Sequence, residues 1–159
     1  MPTLRDAIVL RKQGHFEQSR TLLFSLLESP ENRGAVCLNI AWSYDNQGLE
    51  SDALEHYSEA LKHKLSAEDK FEAKFGLACT HRCLGHLVEA ESLFIELLAE
   101  YPAATEVIPF YALCLISLKK KDEALQHLLK LIAANPPTPA IQTYQAALSG
   151  YINEAYPVS

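Results

Sequence analysis

At 159 residues, 48% hydrophobic and 21% charged, the chain has the length of one domain and enough apolar content for a continuous core. A formal charge of −6 argues against a general nucleic-acid binder, which needs a basic face, and the run Lys119, Lys120, Lys121 reads as a solvated helix turn. No apolar run approaches the roughly 18 residues of a membrane helix, and the opening MPTLRDAIVLRK carries charges inside its apolar stretch, so neither a membrane span nor a secretory signal is expected. The four cysteines then read as reduced thiols in the cytoplasm.

In chain order, Thr3 with Asp6 forms an N-cap and partial capping box for a first helix to about Gln13, and a second covers about Phe16 to Glu28, ending at Ser29-Pro30. From Cys37 to Leu61 two amphipathic helices fold back at Gln47-Gly48: Cys37, Ile40, Ala41 and Tyr44 share one face, and Ala53, Tyr57, Ala60 and Leu61 another. Ser66 with Asp69 caps a long fifth helix to about Leu84, and a sixth runs from about Leu87 to Glu100. Thr105 is expected to cap the seventh, with Pro109 tolerated in its first turn; the eighth ends near Ala134. After the break at Asn135-Pro136-Pro137, Thr138 as N-cap and Pro139 at the first position start a ninth helix, 138–156, with Ile141, Tyr144, Leu148 and Ile152 along one face.

One hairpin pattern recurs along this series. Gly14, Gly48 and Gly85 are spaced by 34 and 37 residues, and the small residues Ser19, Ala53, Ala90 and Ala124 by 34, 37 and 34. A bulky residue follows each by four: Leu23, Tyr57, Phe94 and Leu128. The first-helix core set recurs as Lys74, Leu77, Ala78, His81 and as Ile108, Tyr111, Ala112, Leu115, and Pro102 and Pro136 each close a unit. The pattern resembles the tetratricopeptide repeat family, over residues 2–136. It departs from it at Asp6, where leucine is usual, and at Lys119, where the turn glycine should stand; both lie in end units, where atypical residues are expected.

The resemblance implies an all-α fold: a right-handed superhelical stack of antiparallel helical hairpins in a single domain, with repeats at 2–32, 33–66, 67–102 and 103–136, and a capping helix at 138–156. Ala53 and Ala90 should sit where helices cross most closely. The resemblance also implies a concave groove lined by first-helix residues between the core set. Those are Leu4, Ile8, Arg11 and Lys12; Leu38, Trp42, Asp45 and Asn46; Phe75, Cys79, Arg82 and Cys83; and Phe110, Leu113, Ile116 and Ser117. Trp42 is expected to face this groove, outside the hairpin core, although the aromatics could instead pack on one another in a tightly curved stack. The family's carboxylate clamp is not supported: its basic positions hold Leu4, Glu72 and Gly76, and Asn39, which matches one clamp asparagine, is expected to bond the backbone of an adjacent segment.

Cys79, His81, Cys83 and His86 could suggest zinc, but His81 is expected to point away and Gly85 to end the helix before His86, so no metal or other cofactor is expected. No nucleophile motif or phosphate loop is present, and the chain reads as a non-enzyme. Two functions remain open: an adaptor holding a peptide or partner helix in the groove, or a self-associating module forming a homodimer through the first helix or through the last, with Tyr151 and Tyr156.

Overall fold

The computed structural model describes residues 1–157, and among them places ten helices and no strand. These are α1 (Leu4–Lys12), α2 (Phe16–Leu26), α3 (Arg33–Asp45), α4 (Glu50–Ala60), α5 (Ala67–Cys83), α6 (Leu87–Glu100), α7 (Val107–Ser117), α8 (Lys121–Ala134), α9 (Pro139–Thr143) and α10 (Gln145–Ala155). Their contacts fall into two compact units, Met1–Leu93 and Phe94–Ser159, dividing inside α6.

In the first unit α1 pairs with α2 and α3 with α4, while α2 packs on α3 and α4 on α5. The residue at the atypical position 6 turns out to be useful. Thr3 Oγ1 accepts from the Asp6 amide, and Asp6 Oδ2 accepts from the Thr3 amide at 2.7 Å, a complete capping box that satisfies amides the helix start leaves free. Ser19, Ala53 and Ala90 have no exposed surface, as expected of residues at close helix crossings. Ser19 gains a bond there too, its hydroxyl donating to the Ala7 carbonyl at 2.7 Å. Ala7, Leu23, Val36 and Ile40 form one buried cluster; Cys37, Leu38, Ala41, Ala53, Tyr57, Ala60, Ala73 and Leu77 form the next. Arg20 is buried among them, its guanidinium 4.3 Å over the Tyr44 ring and bonded to Ser43 Oγ.

The turn closing each first helix is built the same way four times. The amides of His15, Leu49, His86 and Lys120 donate to the carbonyls of Leu10, Tyr44, His81 and Leu115 at 2.9, 3.0, 2.9 and 2.8 Å, a Schellman closure that needs one left-handed residue. Gly48 supplies it at φ 71°. In the second unit Lys119 takes the same conformation at φ 65°, so the turn keeps its shape without its glycine.

In that unit α7 pairs with α8, and α10 lies against α8. Two expectations need correcting. Thr105 does not cap α7: the N-cap is Glu106, with no side-chain bond, and the helix begins at Val107, which still leaves Pro109 in the first turn. Nor is 138–156 one helix. Thr138 caps α9 through the Ile141 amide, but the chain bends at Tyr144 and restarts as α10. Gln145 Nε2 donates to the Ala133 carbonyl at 2.7 Å, satisfying a group that the end of α8 leaves open, and this bond holds the bend. Ile152 is buried, whereas Tyr144 points outward, 70% exposed.

Candidate partner-binding face

Within the first unit α3 touches α1 on one side and α5 on the other, so three first helices share one face. Trp42 stands at its centre, half-buried and packed against the cluster of Cys37, Leu38, Ala41 and Tyr57. It is therefore not wholly outside the hairpin core, as expected from sequence, but rests on it. The Arg11 guanidinium lies 5.2 Å from the Trp42 ring and donates through Nη1 to Asn46 Oδ1 at 3.2 Å. Burial lowers the Arg11 pKa, and its Nε is buried with no acceptor.

Asp45 is exposed, and its Oδ2 accepts the Tyr57 hydroxyl at 2.7 Å. Burial first, and then the Asp45 charge, push that phenol pKa far up, so Tyr57 is a fixed donor. The Tyr57 ring lies against Gly76 of α5, where an added Cβ would run into ring carbons and approach the hydroxyl to 2.8 Å. Further along α5, Phe75 is half-buried beside Phe71, their rings 5.8 Å apart. Cys79 is half-buried, its thiol pushed up to about 12 by burial, and Arg82 lowers that value in part. Arg82 Nε is also buried without an acceptor.

Two residues expected on this face are absent from its surface. Leu38 is 0% exposed and belongs to the core, because α3 is packed by α1, α2, α4 and α5 and has little circumference left. Asn39 is 5% exposed; its Nδ2 donates to Ala35 of its own helix at 2.9 Å rather than to an adjacent segment, and its Oδ1 is buried without a donor. Phe110 and Leu113 lie in the second unit, where α7 leaves them 41% and 46% exposed and buries Tyr111, Ala112, Cys114 and Leu115.

The histidines differ from expectation in part: α5 ends at Cys83, before His86, as expected, but His81 does not point away from His86. His81 meets His86, Nδ1 to Nδ1 at 3.1 Å, because the turn at Gly85 brings the chain back over the end of α5. Burial, then His86, lower the His81 pKa, and the Nδ1–Nδ1 contact needs one ring to donate and the other to accept. Among the described residues no three of His, Cys, Asp or Glu are arranged to hold a metal ion.

Residues 34–155 match the family model described as Tetratrico peptide repeat. The chain belongs to the tetratricopeptide repeat family. The matched span starts at the second hairpin, consistent with the atypical Asp6 in the first. This tetratricopeptide repeat protein is similar in fold to solved relatives. MamA superposes with a TM-score of 0.73 at 20% identity, over 98% of this chain and 85% of that one. MamA AMB-1 gives 0.69 at 21%, over 80% and 74%. YrrB, "a TPR protein with an unusual peptide-binding site", gives 0.72 at 17%, over 83% of this chain and 66% of YrrB. No curated protein matches the chain. The all-helical tetratricopeptide fold serves protein–protein interaction in general, and such proteins are generally non-enzymatic scaffolds.

Sequence reasoning placed Arg11 on the face of this tetratricopeptide repeat protein but not on Trp42, and it missed the Tyr57–Asp45 bond and the burial of Arg20. The bond joins second-helix and first-helix residues twelve positions apart, and no periodicity within one helix reports it.

Proposed function

We propose that the chain is a non-enzymatic adaptor whose first unit holds a peptide or partner helix against the face made by α1, α3 and α5. The observation that supports this is the Trp42–Arg11 pair on a surface resting on packed core. Tryptophan and arginine are the residue types that dominate interface energies when a partner covers them. The peptide-binding site named for YrrB, a protein of the same fold, favours a peptide as the occupant. A reducing compartment such as the cytoplasm suits the four cysteines, which form no disulfide and of which Cys37 and Cys114 are buried. Panning a random-peptide phage library on the full chain tests the reading. Selected peptides should bind Trp42→Ala about thirtyfold more weakly than wild type or worse, a loss of roughly 2 kcal/mol. Failure to select any peptide, or binding indifferent to Trp42, would contradict it.

A second reading, a symmetric homodimer, draws on exposed Val9 of α1 and Tyr151 of α10. Light scattering across concentration checks it: a mass that doubles favours the dimer, and a constant monomer mass removes it.

A further inference from the structure

In the three earlier hairpins the bulky residue of the second helix is covered by the first helix that follows. Leu23 of α2 lies among Val36 and Ile40 of α3, Tyr57 of α4 among Ala73 and Leu77 of α5, and the Phe94 ring of α6 is 5.9 Å from the Tyr111 ring of α7. All three are at most 1% exposed. Leu128 holds the same place on α8, four residues after the small residue Ala124, and is only half-buried. The segment that would cover it is diverted, because the bend at Tyr144 sends α10 to the C-terminal end of α8, where Lys130 and Ala133 face Gln145 and Ile152. Exposed Leu125, half-buried Leu128 and exposed Ile132 are left as one apolar stripe at i, i+3 and i+7. At its N-terminal end, Ile116 and Lys121 join Leu125 and Leu128 around a cleft of about 180 Å³.

The other face of α10 carries the complement. With Gln145, Ser149 and Ile152 turned to α8, the helix presents Ala147, Gly150, Tyr151 and Glu154 on its opposite side, all exposed and spaced at i, i+3, i+4 and i+7. Nothing lies within 4 Å of where a side chain on Gly150 would begin, and two small residues let another helix approach closely. A cavity of roughly 150 Å³ holds a benzene ring, so the α8 cleft has room for the ring of Tyr151. Glu154 is opposite in charge to Lys121, and among the described residues neither is in an ion pair. Asp122 and Glu123 follow Lys121 but project from other sides of α8. Within one chain the two surfaces cannot meet, since α10 already rests on α8 by its inner face. Both belong to the second unit, so a twofold axis brings each onto the other twice and leaves no open end. Resting on the homodimer reading above, we propose that a second copy lays the outer face of its α10 on the α8 stripe, with Tyr151 in the cleft and Glu154 beside Lys121, and receives the same contact in return.

Light scattering on the full chain across concentration should show the mass rising from 17.7 kDa to twice that value. Leu125→Lys and Tyr151→Lys, both at exposed positions, should each weaken association at least about tenfold, the scale of a lost interface anchor, while circular dichroism shows each still folded. Lys121→Glu and Glu154→Lys should each weaken it severalfold, by an amount that shrinks as salt is added, and the two together should restore it. If a stripe variant misfolds, this charge swap carries the test, because both of its side chains are exposed. A dimer indifferent to Leu125→Lys and Tyr151→Lys, or a charge swap that restores nothing, overturns the arrangement. If Val9→Lys then dissolves that dimer, the homodimer reading stands with α1 as its surface, whereas a constant monomer mass overturns both.

Discussion

Tyr57 is held from two directions, its hydroxyl by Asp45 and its ring by the absence of a side chain at Gly76. Gly76→Ala should therefore force the ring from its place and cost about 1–3 kcal/mol, as overpacking does. Denaturant unfolding with an unchanged midpoint would show that the ring moves freely. From sequence, Gly76 was legible only as a position lacking a basic residue, because the side chain that fills its space comes from another helix. Lys119 presents the opposite case. A residue with a side chain pays roughly 1–2 kcal/mol in the left-handed region, and glycine returns part of that through the entropy of the unfolded chain. Lys119→Gly should raise stability by about 0.5–1 kcal/mol, and a thermal scan showing no gain would mean the turn is relaxed already.

At the level of elements, the hairpins were legible because each depends on a few residues at fixed spacing. Four small buried residues at the crossings and four equivalent turns agree on one register. The bend between α9 and α10 was not legible, since Ile141, Tyr144, Leu148 and Ile152 fit an unbroken helix equally well. What decides it is the tertiary bond from Gln145 to Ala133. The consequence is an asymmetry within the expected stripe. Ile152→Ala should cost about 2–5 kcal/mol, as a buried truncation does, whereas Tyr144→Ala should stay within about 0.5 kcal/mol, as exposed substitutions do. Equal losses in the two variants, measured by chemical unfolding, would restore the single continuous helix.

For the molecule as a whole, repeat spacing was enough to reveal the family and the face that first helices share. The same spacing could not tell how much of that face each helix keeps. Leu38 and Asn39 sit at positions the resemblance assigns to a groove, yet α3 is enclosed by four helices and buries both. Trp42, Asp45 and Asn46, nearer its C-terminal end, remain at the surface. The account therefore rests on Trp42, which is also the only tryptophan and so gives one indole N–H signal. Titrating the ¹⁵N-labelled protein with a library-selected peptide, and following that signal by ¹H–¹⁵N correlation spectroscopy, tests it most directly. The account predicts that the indole peak moves or broadens in step with saturation, together with amides near Asn46 and Arg82. An unmoved indole peak at saturation, with shifts confined to the outer residues of α1 or α10, would contradict it.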